Sequence, residues 1–187
     1  MQYSIFSLQV VIRLEGPDDT LFRLLSRRLR SAPEQTNYAR MHDYYGGLCK
    51  MLRDASHRFE RGVWDYWDDP SRAQGDFQDW VDGLKGREAR VRPAPDDGGP
   101  RYMACAVAML LWHQSVSDQR LLKHCTVPEP LLWRRKTFHE LLKGPGLLNF
   151  LHVKSHLAYL LPGEDTALAL TEEDLAGKDW HYLRPLE

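Results

Sequence analysis

Only three cysteines occur, Cys49, Cys105 and Cys125, at wide spacings and without a C-x-x-C pair. An odd number so placed excludes a disulfide framework or zinc ribbon and predicts a reducing interior. Cys49 and Cys105 sit in apolar runs and are expected as buried small hydrophobes. No apolar run approaches the ~20 residues that cross a bilayer. The longest, Met103 to Trp112, has 10. Met1-Gln2-Tyr3-Ser4 lacks the basic stretch that precedes a secretory apolar segment, and no small-residue cleavage site follows. A cytoplasmic chain with no membrane span is therefore expected. Neither charge dominates: 25 Lys and Arg face 26 Asp and Glu, so overall charge favours neither nucleic acid nor anionic lipid. A Walker loop, a dinucleotide glycine fingerprint, H-E-x-x-H and G-x-S-x-G are all missing, and no cofactor, metal site or catalytic residue is predicted.

What remains is an ordinary globular composition, 43% apolar over 187 residues. It suits one domain with its own core. Ile5, Phe6, Leu8, Val10, Ile12 and Leu14 alternate with Ser7, Gln9 and Arg13, which predicts a strand over Tyr3 to Leu14. After Gly16-Pro17-Asp18-Asp19 a helix is predicted to about Arg30, with Leu21, Leu24, Leu25 and Leu29 inward. A second helical pattern starts near Tyr38. Its apolar positions run Met41, Tyr44, Tyr45, Leu48, Met51, Leu52, Ala55, Phe59, Val63 and Trp67, which predicts one helix of more than six turns. Gly46-Gly47 inside it suggests close approach of another backbone, or else a kink. Asp68-Asp69-Pro70 separates it from a third helix carrying Phe77, Trp80, Val81 and Leu84.

Arg92 to Arg101 is rich in Pro and Gly and is the strongest linker signal, inside one domain rather than between two. Tyr102 to His113 fits a central strand buried on both faces. Helices are expected at Gln119 to His124 and Glu129 to Lys143, a third strand at Phe150 to Leu161, and a short capped helix at Thr171 to Leu175. The tail from Trp180 to Leu186 is apolar enough to dock. The expected fold is α+β: a small three-stranded sheet covered by a long helical hairpin and further helices.

Residues that suggest chemistry each have a plainer reading. His152 and His156, on a strand, would lie about 13 Å apart and share no ion. His42 and Asp43 have no fixed third member of a triad. Asp65, Asp68 and Asp69 beside Trp64, Tyr66 and Trp67 suggest a carboxyl of raised pKa, although acids at a helix end are usually solvated. Arg23, Arg27, Arg28 and Arg30 crowd the first helix, Arg53, His57, Arg58 and Arg61 the second, and Arg134, Arg135 and Lys136 form a third group. Arginine with aromatics suits a nucleic-acid backbone, but Glu34, Asp54 and Glu60 interleave. The same residue types are favoured at protein–protein hot spots, and six tryptophans is a high number for this length.

Several segments carry a family resemblance. Tyr3 to Ile12 looks like an opening strand, and Phe77-Gln78-Asp79-Trp80-Val81 like a helix before a long linker. Tyr102 to Ala108 looks like a central strand. Leu157 to Asp165, then Leu168, Thr171 and Glu173-Asp174-Leu175, then Tyr182-Leu183-Arg184-Pro185-Leu186 look like a strand, an acidic turn, a short helix and a closing tail. Together these segments resemble the family called domain of unknown function 1517, thylakoid-associated proteins of cyanobacteria and chloroplasts with bacterial relatives. The resemblance implies an α+β order of elements and a non-enzymatic, membrane-associated or assembly-supporting role. The glycine-rich segment and membrane anchor of the photosynthetic members have no counterpart here.

The expectation is thus a non-catalytic protein–protein interaction or scaffolding subunit of a larger assembly. Candidate partner-binding residues are Trp64, Trp67, Trp133, Arg27, Arg28, Arg134 and Arg135. A nucleic-acid-contacting accessory subunit is the second reading, and a small hydrolase-like enzyme the third.

Overall fold

The computed structural model describes residues 2–16, 18–67, 69, 71–88, 98–163 and 168–187. Five strands form one sheet: β1 (Tyr3–Arg13), β2 (Phe59–Trp67), β3 (Tyr102–Trp112), β4 (Val153–Leu161) and β5 (Arg184–Pro185). Their order is β4-β3-β1-β2-β5, and every pairing is antiparallel. Among the described residues six α-helices accompany them: α1 (Thr20–Arg30), α2 (Tyr38–Asp54), α3 (Ala73–Glu88), α4 (Val116–His124), α5 (Arg135–Leu141) and α6 (Glu172–Ala176). The expected three-stranded sheet is therefore corrected to five strands among the described residues, and no long helical hairpin among them covers it.

The main correction lies at residues 59–67. The helix begun at Tyr38 ends at Asp54, a 3-10 turn spans Ser56–Arg58, and the chain continues as β2. Phe59, Val63 and Trp67 are four apart, and four is a multiple of the strand period as well as close to a helical turn. Their spacing therefore decides nothing. The segment's Val, Tyr, Trp and Phe content favours the strand, and pairing to β1 from Ile5↔Trp67 to Ile12↔Phe59 settles it. Trp64 and Trp67 then point to opposite faces of a sheet rather than sharing a helix face. Gly62 is needed here because a Cβ would lie 2.5 Å from the Phe138 ring of α5.

β1 and β3 lie at the centre and are buried along nearly their whole length. On one face Phe6, Leu8, Val10 and Ile12 join Met103, Cys105, Val107 and Met109 under α1, α2 and α5, with Phe22, Leu25, Tyr45, Leu48, Leu52 and Phe138 filling the layer. On the other, Val11, Ala104 and Ala106 meet Leu175, Trp180 and Leu183, while Ile5, Ala108 and Leu110 meet Ala73 and Phe77 of α3. Fully burying one large apolar side chain stabilises by about 1.5–3 kcal/mol. Two covered faces thus outweigh the cost of also burying Ser7 and Gln9 on β1, both 0% exposed.

The tail docks as expected and adds β5, which pairs Arg184 and Pro185 with Gly62 and Arg61. Thr171 caps α6 in a reciprocal box with Asp174. Other expectations are adjusted. Leu24 is 43% exposed, and Phe22 takes the inward place on α1. The helix expected over Glu129 to Lys143 is a 3-10 turn, Glu129–Leu131, followed by α5. The strand expected from Phe150 begins at Val153 after a 3-10 turn. At Gly47 the approaching group is the Arg28 guanidinium, which a Cβ would meet at 2.6 Å, and not a backbone. Residues 92–97 of the expected linker, Asp68, Pro70, Pro17, Glu164, Asp165 and the Leu84 side chain lie outside the described residues.

Candidate functional site

β5 is only two residues long and covers only the first part of β2. Among the described residues, no strand pairs with the outer side of Val63–Trp67. Strand alternation sends Trp64 and Tyr66 to the α5 face of this edge, and Asp65 and Trp67 to the α3 face. A cleft flanks the edge on each side.

The first cleft lies over β1 and β2 beside α3. It has a volume of about 380 Å³ and is lined by Ile5, Ser7, Asp65, Trp67, Arg72, Asp76, Asp79, Trp80 and Tyr182. Ser7 and Ile5 form its floor. The Ser7 hydroxyl has no hydrogen-bond partner among the described residues, nor does the Gln9 amide nitrogen behind it. Tyr182 donates its hydroxyl hydrogen to Gln9 Oε1 at 2.9 Å. The Arg72 guanidinium lies over the Trp67 ring, 5.3 Å from its centroid, and 3.9 Å from the Asp76 carboxylate. Crowding by protein pushes the Asp65 carboxyl above its ordinary range. The Tyr66 N–H and Arg72 oppose this, and the Asp76 charge adds to it. Of the described acids beside the tryptophans, where solvated carboxylates are the plainer expectation, Asp65 is thus pushed up and Asp69 goes the other way, held down by the Ser71 hydroxyl and N–H.

The second cleft, about 400 Å³, opens on the α5 face and is lined by Trp64, Asp65, Tyr66, Leu122, Cys125, Thr126, Leu132 and Trp133. Asp65 borders both clefts, as befits a residue on the rim between them. Trp133 is 37% exposed and Trp67 is 39% exposed. Tyr66 donates to Asp118 Oδ1 at 2.5 Å, and Asp118 Oδ2 accepts the Gln114 N–H at 2.7 Å. This buried acid ties the edge strand to the first turn of α4. Cys125 lies in this cleft, but burial, helped by the Asp65 charge, pushes its thiol up to about 12. At neutral pH it is a packing group and no nucleophile.

Of the seven candidate partner-binding residues, three meet at this edge: Trp64, Trp67 and Trp133. The arginines do other work or lie elsewhere. Arg28 donates to the Asp43 and Tyr44 carbonyls of α2, and Arg135 to the Phe59 carbonyl at 2.6 Å. Arg27 and Arg134 are exposed on α1 and just before α5. Ser7, Arg72, Asp76, Asp79, Trp80 and Tyr182 were not singled out by sequence. Ser7 and Gln9 mark a strand's polar parity, the pattern of a wetted face, and only the covering α3 and tail reveal them as buried.

Several serine–histidine contacts invite a catalytic reading, but their geometry does not serve one. Ser4, Ser117 and Ser56 contact His113, His152 and His139 at 3.0, 3.0 and 3.2 Å, each at Nδ1. Asp118 also approaches His113 at Nδ1, 3.7 Å away. A relay needs base and acid on opposite ring nitrogens. His152 and His156 are separately engaged, the latter by Tyr45. Among the described residues no group of three or more His, Cys, Asp or Glu is placed to hold a metal ion, and no helix is long and apolar enough to cross a membrane.

Comparison with protein-family models, with curated proteins and with solved structures gives no match.

Proposed function

We propose that this protein is a non-catalytic interaction subunit that binds an extended segment of a partner protein along the open edge of β2. The observation that carries this reading is that, among the described residues, no strand flanks β2 beyond Gly62, where the edge runs between two clefts that each display a tryptophan. An added strand would supply main-chain hydrogen bonds, while its alternating side chains would enter the two clefts. The cleft on the α3 face carries three aspartates against one arginine, and so suits a basic side chain. The other is walled by Trp64, Leu122, Leu132 and Trp133 and suits an apolar one. The preferred partner segment therefore alternates basic and apolar residues.

The other outer strand, β4, is less inviting. It carries the exposed Lys154 and a register shift opposite Leu110 and Leu111, two devices that blunt an edge against pairing. The resemblance to the domain of unknown function 1517 family agrees with an assembly-supporting role and is kept as part of the same proposal. The decisive test is hydrogen exchange on the full chain with a peptide alternating arginine with valine or leucine. Protection concentrated at residues 63–67 is expected. Unchanged exchange there at saturating peptide would remove the reading.

A further inference from the structure

We propose that the α3-side cleft is a binding site for an organic cation of the guanidinium or alkylammonium class. Three features of the cleft converge. Asp65 and Asp79 have no basic side chain of the protein within ion-pair distance among the described residues, whereas Asp76 has Arg72 at 3.9 Å. Three carboxylates thus line the site against one guanidinium, which repels anions. The floor holds Ser7, fully buried, with a hydroxyl that has no hydrogen-bond partner among the described residues. Such a group is costly to leave unmade and cheap to satisfy with an entering N–H donor. The walls are aromatic: Trp67, Trp80 and Tyr182. A cation over an aromatic face gains electrostatic attraction from the ring quadrupole.

Arg72 already displays this chemistry. Its guanidinium lies over Trp67 and beside Asp76, so one half of the site is filled by the protein's own cation. Asp65, Asp79, Ser7 and Trp80 in the same lining offer the same elements, and Arg72 reaches Asp65 only from beyond ion-pair distance. A neutral apolar guest would strand these carboxylates, and an anion would meet them directly. The volume, about 380 Å³, is at the small end of ligand pockets, roughly 300–1,000 Å³. It suits a single side chain or a small amine better than a nucleotide.

Two sources present the same chemistry: a basic side chain of a strand seated on β2, or a free amine or guanidine. In the first case the inference deepens the reading above; in the second it stands without it. The experiment uses the full chain and two probes, agmatine and the alternating arginine peptide, the latter also with citrulline in place of arginine. Amide shifts at Ser7 and Asp65 and the Trp67 and Trp80 indole signals report occupancy. Agmatine is expected to shift these signals at millimolar concentration. The Asp65→Asn, Asp79→Asn double variant should weaken it about tenfold or more, the scale of losing charge-assisted hydrogen bonds. Ser7→Ala, which leaves the carboxylates in place, should weaken it less but measurably. If neither agmatine nor the arginine peptide shifts the cleft, or if the aspartate variant binds both equally well, the cation site is wrong. A citrulline peptide that protects residues 63–67 as well as the arginine peptide removes the side-chain source and leaves strand addition intact; with no agmatine shift beside it, it overturns the cation site. Agmatine binding without any peptide protection supports the cation site with a free molecule as its source, and removes the edge reading.

Discussion

Arg58 and Asp19 form a buried ion pair where three elements converge. Asp19 has a fully covered side chain and Arg58 one only 11% exposed. Asp19 caps α1 by accepting the Phe22 N–H at 2.9 Å, and it also takes the Glu15 N–H at 2.8 Å. Arg58, from the turn before β2, adds two hydrogen bonds to the Arg13 carbonyl at the end of β1. One charge pair therefore locks the exit of β1, the start of α1 and the entry to β2. Replacing Asp19 by Ala removes a cap and leaves the Arg58 guanidinium with only the more exposed Glu15 carboxylate, 3.7 Å away. A loss of about 3 kcal/mol is expected, the lower end for breaking a buried pair, because Arg58 keeps some contact with water. Chemical denaturation of the variant measures it.

The same aspartate sets an acid limit. Burial would raise its carboxyl, but the Glu15 and Phe22 N–H groups and Arg58 outweigh this and hold it below the usual range. A depressed folded pKa contributes stability above the unfolded value, near ~3.9, and loses it as pH falls through the folded value. Unfolding free energy should therefore drop steeply below about pH 4. In Asp19→Asn that part of the drop should be missing.

A second acid-sensitive component lies higher. Tyr45 donates to His156 Nδ1 at 2.9 Å, since burial pushes the Tyr45 hydroxyl far up and keeps it protonated. Burial also lowers the His156 pKa, so the folded state resists the imidazolium. The unfolded chain takes up this proton near pH ~6.5 and the folded chain only below that. Stability is therefore complete above pH ~6.5 and declines as pH falls toward the folded value. His156→Asn should flatten the stability curve in that window and leave the Asp19 component. A curve equally steep in the variant would contradict the assignment.

Gly62 offers a packing test. A methyl group there would sit 2.5 Å from the Phe138 ring, which is fully buried. Gly62→Ala should destabilise by about 1–3 kcal/mol, the usual cost of overpacking. Pairing it with Phe138→Leu should recover part of the loss in a double-mutant cycle. Additive losses would show that the ring yields without cost.

The proposed interface makes its own demand on Trp133. If a partner segment fills the α5-side cleft, Trp133→Ala should weaken peptide binding by about 2 kcal/mol, as for a hot-spot tryptophan. Thermal stability should fall by less than for a fully buried tryptophan, because the residue is 37% exposed. Loss of binding together with a large drop in stability would mark Trp133 as structural instead.

The order of residues alone determined the two central strands, α1, the short capped helix and the docking tail. Each of these rests on local information: the alternation of Tyr3 to Leu14, the unbroken apolar run from Met103 to Trp112, and the Thr171–Asp174 box. Local information also located Trp64, Trp67 and Trp133, but not their grouping. Tertiary structure decided the rest. Phe59, Val63 and Trp67 obey a spacing common to helix and strand, and only pairing with β1 made them a strand. Arg184 and Pro185 are too few to form a strand without β2 beside them. Ser7 and Gln9 carry the polar parity of a wetted face, yet α3 and the tail cover that face, burying both and making Ser7 part of the floor of a cleft. Backbone pairing and burial join residues far apart in the chain, and no periodicity within a short segment carries that information.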